Sequence, residues 1–481
     1  MAAVAGMGAE RALVISQAGD TGAVTPSKSI NEKVENPVDG NADKVLPKNE
    51  PSVGRGGGDS LLEESRGPRF KFKGLAKNLY VFHRTDNYLG EDPLIQGVKN
   101  LSSDLTRLRL SPEFLYGDIL TVRADYDNEL IWSNYGRSVD FKNYWRPRQY
   151  NDFFHLTWEP YRGRDLYYRT KIHRAYVKLS VDYFTATIGR QQIRYGSGKL
   201  WNPLDILNPV SPTLVEGADE QKGTDAVNLE FFPNDKTEIS AVFSPKRSND
   251  TIGHFNMRDC DYIVRAKTSI SDADVAVLGG YVTRRWVAGF DVAAILFEGM
   301  LRASMIVEQA GGPYAKAGDP RYLWRFLIPG SNRNEPVYFQ ANAGYEYTFK
   351  NGVYFLAEYF YNQKGLNYNR DRKTAYIVAG FNAMDQKTYL QLANQFPTVN
   401  QHYLGLSLGY DFHPLVRGEL FCIGDIQGHA VFWVPVLKVN ALENLDLTVG
   451  VMGAFSFDNS PSDFTEFRKN YLFYASGTYT F

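Results

Sequence analysis

Leu445-Asp446-Leu447-Thr448-Val449-Gly450-Val451-Met452-Gly453-Ala454-Phe455-Ser456-Phe457 is the stretch that decides the fold. Successive side chains of an extended strand point to opposite faces. Leu445, Leu447, Val449, Val451, Gly453, Phe455 and Phe457 therefore share one face, and Asp446, Thr448, Gly450, Met452, Ala454 and Ser456 share the other. One face suits hydrocarbon and the other does not need it. The same alternation sends Val337, Phe339, Ala341, Ala343, Tyr345 and Tyr347 outward and Gln340, Asn342, Glu346 and Thr348 inward. A soluble β-sandwich would show the same period but would bury its apolar faces against each other.

Working outward, segments of this kind recur from Phe70 to Phe481 near 70–84, 103–116, 117–132, 169–181, 183–195, 222–232, 235–245, 260–270, 273–284, 287–297, 299–309, 336–348, 352–363, 401–412, 415–425, 428–439, 443–457 and 468–481. This is about eighteen strands, an even number, and many have the nine to eleven residues that a tilted strand needs to cross a bilayer. The connections separate barrel from sandwich. The long ones (85–102, 133–168, 196–221, 246–259, 310–335, 364–400 and 458–467) all leave the same end of the strand array. The intervening turns, such as Gly117-Asp118, Asp182, Pro233-Asn234, Ser271-Asp272 and Lys350-Asn351-Gly352, are tight. Short turns at the periplasmic end and long loops outside are the habit of bacterial outer-membrane barrels, and a sandwich predicts no such phase. In the last segment Tyr471, Phe473, Ala475, Gly477, Tyr479 and Phe481 alternate with Tyr474, Ser476, Thr478 and Thr480, which resembles the closing strand of such barrels. The expectation is an all-β, transmembrane, antiparallel up-and-down β-barrel over 70–481, placed in a bacterial outer membrane.

Composition agrees. Aromatics make up 14% of the 481 residues, and 53 basic side chains nearly cancel 54 acidic ones, which leaves no electrostatic footprint for nucleic acid. Mean hydropathy is −0.35 and no run of about eighteen apolar residues occurs, so helical spans are excluded while barrel strands, half polar, are not. Residues 1–69, with Gly54-Arg55-Gly56-Gly57-Gly58, read as a disordered N-terminal segment. Met1 to Ala12, ending Ala9-Glu10-Arg11-Ala12, is a candidate remnant of an export signal. Cys260 and Cys422 form no framework; both fall on the outward parity, far apart around the barrel, and are expected to be free thiols. Seven scattered histidines show no metal-ligand spacing, and no nucleophile–base pair is visible, so neither a metal, another cofactor nor an enzyme is expected.

Parity then chooses the lumen residues. Arg107 and Arg109 alternate with Leu108 and Leu110; Arg123 and Asp125 with Val122, Ala124 and Tyr126; Arg174 and Lys178 with Ala175, Val177 and Leu179; Arg190 and Arg194 follow on the next segment. An arginine facing lipid near the midplane would cost roughly 2–4 kcal/mol, which favours the inward assignment. Two meanings stay open: a cationic wall that draws anions, or a structural ladder with inward carboxylates such as Glu113, Asp125, Glu346, Glu358 and Glu419. The connection Gly196-Ser197-Gly198-Lys199-Leu200-Trp201-Asn202-Pro203-Leu204-Asp205 is stiffened by proline and is a candidate to fold into the lumen, with Lys199, Trp201 and Asp205 at a constriction; an external lid is the alternative. Loops 133–168 and 364–400, rich in Tyr, Trp, Asn, Gln and Arg, could meet sugars or a protein partner.

Ile188-Gly189-Arg190-Gln191, Tyr195-Gly196-Ser197-Gly198 and Asn202-Pro203-Leu204-Asp205 together resemble the alginate-export-like and related porin-type barrels of Gram-negative bacteria. That resemblance implies an eighteen-strand barrel with an arginine-rich lumen carrying an anionic polysaccharide, with Arg107, Arg109, Arg123, Arg174, Arg190 and Arg194 lining it. The leading functional expectation is passive passage of small anionic solutes. Polysaccharide export comes second, and a scaffold enclosing a partner such as an electron-transfer protein third; a homo-oligomer is compatible with each.

Overall fold

The computed structural model describes residues 67–84, 100–134, 153–207, 223–247, 255, 257, 260–282, 285–309, 337–363, 398, 400–458, 460, 462–464 and 470–481. Residues 1–66 of the segment expected to be disordered, and much of the loops at 85–102, 133–168, 196–221, 310–335 and 364–400, lie outside these residues, while Pro68 and Arg69, expected in that segment, already belong to the first strand.

The strands are β1 (Pro68–Arg84), β2 (Asn100–Tyr116), β3 (Leu120–Ser133), β4 (Thr157–Arg162), β5 (Leu166–Val181), β6 (Phe184–Gln191), β7 (Thr224–Asn234), β8 (Thr237–Ser244), β9 (Asp261–Ile270) and β10 (Ala273–Val282). They continue with β11 (Arg285–Leu296), β12 (Gly299–Gln309), β13 (Val337–Thr348), β14 (Tyr354–Asn362), β15 (His402–His413), β16 (Val416–Asp425), β17 (Ala430–Leu442), β18 (Leu445–Ser456) and β19 (Tyr471–Thr480). Each pairs antiparallel with its neighbours, and β1 returns to β19 from Leu75↔Thr480 to Arg84↔Tyr471. Because β3 pairs directly with β5 and β4 pairs only with β5, eighteen staves close the barrel. β4 was not expected. It sits on the edge of β5 that β6 leaves bare, since the β5–β6 ladder stops at Ala175↔Arg190 while β5 runs on to Leu166.

The outward face is apolar, as the alternation requires. Leu447, Val449 and Phe455 are exposed on β18, and Met452 and Ala454 between them are buried. Tyr471 and Tyr479 are exposed on β19 while Leu472 and Tyr474 are buried. A band that includes Ile188, Val264, Val277 and Leu437 continues around the wall. Contiguous exposed apolar surface on this scale is untenable in water but is what a bilayer demands. At the seam Phe481 N donates to Gly74 O at 3.0 Å and Gly74 N to Phe481 O at 2.8 Å. The Phe481 ring fills the space over Gly74, where a Cβ would come within 2.3 Å of it. Cys260 and Cys422 are free thiols; Cys260, expected to face outward, is fully buried at the start of β9, where Asp261 is also buried.

Val449→Arg places a charge in the apolar band and should lower equilibrium stability in lipid vesicles by roughly 2–4 kcal/mol, read by denaturant unfolding; Thr448→Arg, on the lumen side, should cost far less.

Candidate functional site: a lumen with two tiers

Inward side chains divide by height. Toward the short turns many stand open or half-open, among them Lys71 and Lys73 on β1, Arg123 on β3, Lys178 on β5, Glu346 on β13 and Lys438 on β17, while Thr185, Tyr354, Arg417 and Glu419 are buried there. Toward the long connections they are buried. There the expectation of a polar interior fails, because two apolar clusters occupy the outer half. One gathers Leu79, Leu105, Phe360, Tyr403, Phe432 and Leu472, and the other Ile193, Leu204, Ile263, Leu278, Val287 and Ile306. They are anchored by a chain segment that enters the barrel.

That segment, 192–207, leaves β6 early: the strand ends at Gln191 and not near 195. It meets the inner wall at two carboxylates. Asp291 Oδ1 on β11 accepts hydrogen bonds from Ser197 N at 2.9 Å, Ser197 Oγ at 2.8 Å and Ser304 Oγ at 2.8 Å. Glu358 on β14, 1% exposed, accepts from Lys199 N at 3.0 Å, Leu200 N at 3.3 Å and Trp201 N at 2.7 Å. A buried carboxylate is tolerable only with such partners, and three successive backbone donors satisfy it while fixing the loop. Arg302 bridges Glu346, at 2.7 Å, to Ser197 O, and Lys199 Nζ lies 3.9 Å from Glu346. Trp201 stacks on Phe360 with ring centroids 5.4 Å apart. Two glycines make the turn. Gly196 has φ +82°, and a Cβ on it would sit 2.1 Å from Asn202 Oδ1; a Cβ on Gly198 would sit 2.0 Å from Trp201 O. Lys199, Trp201 and Asp205 thus lie within the barrel on one inward-folded segment, with Asp205 facing Arg194 at 3.5 Å. Burial holds the Tyr195 hydroxyl above its usual range.

The arginines on β2, β3 and β5 form an ion-pair ladder. Arg109 holds Asp127 bidentately at 2.6 and 2.9 Å, and Arg107 Nε meets Glu129 at 2.7 Å. Arg169 Nε meets Glu129 at 2.7 Å and Lys171 Nζ meets it at 3.1 Å. Arg123 pairs with Asp125 at 3.0 Å, and Arg174 stands opposite Asp125 in the ladder. Arg169, Lys171 and His173 escaped strict alternation, which sends them to lipid. A bulge between Asp125↔Arg174 and Tyr126↔Ile172 leaves one extra residue on β5, so even positions face inward below it and odd positions above it. No sequence period marks that point.

Arg190 departs from its expected lumen position. Its ladder partners are Ala175 and Asp225, and it shares parity with Ile188, which is 56% exposed on the outer wall. Thr185 and Thr187, on the other parity, are the buried ones. Arg190 is nonetheless 2% exposed: it pairs with Asp225 at 2.8 Å and donates to Phe154 O at 2.8 Å, while Phe154 N donates back to Asp225 at 3.0 Å. It therefore pins the segment preceding β4 to the rim.

A second inward segment follows β18. Phe464 stacks on Phe432 at 5.2 Å, and Asp425 accepts from Ser462 Oγ and Asn400 Nδ2, each at 2.7 Å. Tyr403 donates to Asp463 and packs against Trp201, so it touches both segments. Beyond the end of β18, hydrogen bonds from Ser460 and His429 hold the Asp458 carboxyl below the usual carboxylate range.

A closed eighteen-stave barrel with a lipid-facing band and inward-folded connections has the outer-membrane porin-type architecture. Among solved structures, OccAB3 of Acinetobacter baumannii is similar with a TM-score of 0.50 over 86% of this chain and 99% of that one, at 9% identity. OpdK, an outer-membrane protein of Pseudomonas aeruginosa, gives 0.47 over 86% and 98% at 10% identity, and OccK5 (OpdH) of the same species gives 0.48 over 85% and 97% at 11%. No family model matches the sequence, and no curated protein does. The likeness speaks to the fold. The alginate-export-like resemblance gains no support from it and rests on its short motif alone.

Glu129→Ala would leave Arg107, Arg169 and Lys171 short of their shared carboxylate and should cost about 3–5 kcal/mol, seen as a lowered denaturant midpoint.

Proposed function

We propose that this barrel is a passive channel for small solutes, with anions preferred and with its bore set by the inward segment 192–207. The observation that supports it most is the anchoring of that segment to the opposite wall by Asp291 and Glu358. A chain pinned across a lumen at two buried carboxylates narrows the passage by construction and is not a displaced surface loop. Passage through such a bore makes and breaks no bond. The preference for anions is supported by Lys71 and Lys73, which stay exposed on the inward parity of β1, whereas the outer-tier arginines are matched by carboxylates. The inward segments argue against a sheath around a partner protein, which needs a wide empty lumen, and the pairing of Arg107, Arg109, Arg169 and Arg190 with carboxylates argues against the continuous arginine track that polysaccharide export needs.

Reconstituted in planar bilayers across a salt gradient, the protein should carry current with a reversal potential of the sign for anion preference; cation preference overturns the charge assignment. Glu358→Ala removes the acceptor for three backbone donors and should raise single-channel conductance severalfold. A conductance no different from that of the unaltered protein would show that segment 192–207 does not limit flow.

A further inference from the structure

The two inward segments are seated by different chemistry. Segment 192–207 rests on Glu358 and Asp291, single carboxylates each holding several donors of that segment or of the wall beside it. At the second seat two carboxylates come together. Asp425, the last residue of β16 and buried, accepts from Ser462 Oγ and Asn400 Nδ2 at 2.7 Å each and from Gly428 N at 2.8 Å. All three of these donors are neutral. Asp463, also buried, faces Asp425 from the segment after β18 and takes the Tyr403 hydroxyl of β15. Among the described residues Asp463 and Tyr403 are the charged and titratable groups turned to Asp425 from the elements packed on it. His429, in the turn after β16, is exposed and bonds to Asp458 instead. The enclosure is tight: a Cβ on Gly428 would come within 2.2 Å of Asp425 Oδ2 and 2.7 Å of Ser462 Cβ.

We propose that the Asp425 and Asp463 carboxyls form a proton-operated latch at the outer end of the lumen, which seats the segment after β18 while the pair holds a proton and releases it as the proton leaves. The inference rests on the channel reading and adds the proton as its regulator and the seat at which it acts. Two carboxylates buried side by side repel when both are ionised, and burial disfavours the charged form of each. One shared proton removes a charge from the pair. The Ser462 hydroxyl can accept a hydrogen bond from protonated Asp425 as readily as it donates to the carboxylate, so the seat keeps its bonds in that state. The sign follows from linkage: the protonated seat is the firm one, and raising the pH through the range in which the pair ionises weakens it. Release also reaches the first segment, because the Tyr403 ring packs on Trp201 while its hydroxyl bonds Asp463. Conductance therefore rises with pH.

The test is the conductance of the full chain in planar bilayers at fixed salt, with both sides brought together from about pH 5 to about pH 9, the range into which burial of this kind moves a carboxyl. The unaltered protein should conduct severalfold more at the alkaline end. Asp425→Asn keeps the shape of the seat without a proton to lose and should hold the low conductance over the whole range; its migration on gels before and after heating shows that the barrel is folded. Asp463→Asn removes the neighbouring charge and should move the rise toward acid by about one pH unit or more. A conductance that is flat or falls with pH in the unaltered protein, or a rise that Asp425→Asn retains, overturns the latch and leaves the channel reading intact. Where Asp425→Asn does not fold, a rise left unmoved by Asp463→Asn overturns it equally. Absence of current from the unaltered protein at every pH overturns the channel reading and the latch with it.

Discussion

In hydrocarbon no water is available for an unpaired backbone N–H or C=O, so a spanning sheet must have no edge. Everything else in this molecule depends on that closure. The ladder from Leu75↔Thr480 to Arg84↔Tyr471 joins the first stave to the last, and the Gly74–Phe481 bonds extend it to the turn-side rim. Once the sheet is closed, side-chain alternation acquires an inside and an outside. A lysine two residues from another is then committed to the lumen by geometry and not by its own preference.

Closure also explains where charge can be kept. Within the wall Asp127 and Glu129 are wholly buried, yet Arg107, Arg109, Arg169 and Lys171 surround them. Desolvation makes such a cluster a poor source of net stability, but it makes the loss of any one member expensive. The ladder thus specifies the register of β2, β3 and β5 more than it strengthens them. It also neutralises the charge that the amino-acid pattern alone would assign to anion attraction.

Eighteen staves, the phase of long and short connections and the lipid-facing parity of β13, β18 and β19 were legible because each depends on a period of two and on turn chemistry, both local. What escaped depends on single residues of backbone. One extra residue on β5 reverses the parity of Arg169 and Lys171. The early end of β6 releases the segment that fills the lumen, and Arg190 lies on the outer parity beneath Phe154, where only a distant loop could make it tolerable. β4 has the same cause, because it exists where β6 stops. Lys199, Trp201 and Asp205 could be anticipated as a group from glycine and proline placement. Their anchor on Glu358 joins residues 157 to 159 positions apart and has no local signature.

The apolar outer tier follows from the same anchoring. A polar segment laid across a lumen would stay hydrated and loose, each backbone group trading its protein partner for water at little cost. Burying Leu200, Trp201, Leu204 and Ile206 against Phe360, Tyr403 and Ile306 removes that option. The hydrogen bonds to Glu358 and Asp291 are then made in a dry environment, where an unmade one is costly. Tyr403 carries the constraint further. Its ring packs on Trp201 and its hydroxyl reaches Asp463, so the segment after β18 is seated on the same support. The two inward segments therefore share one foundation, and displacing either must disturb a ring that the other needs.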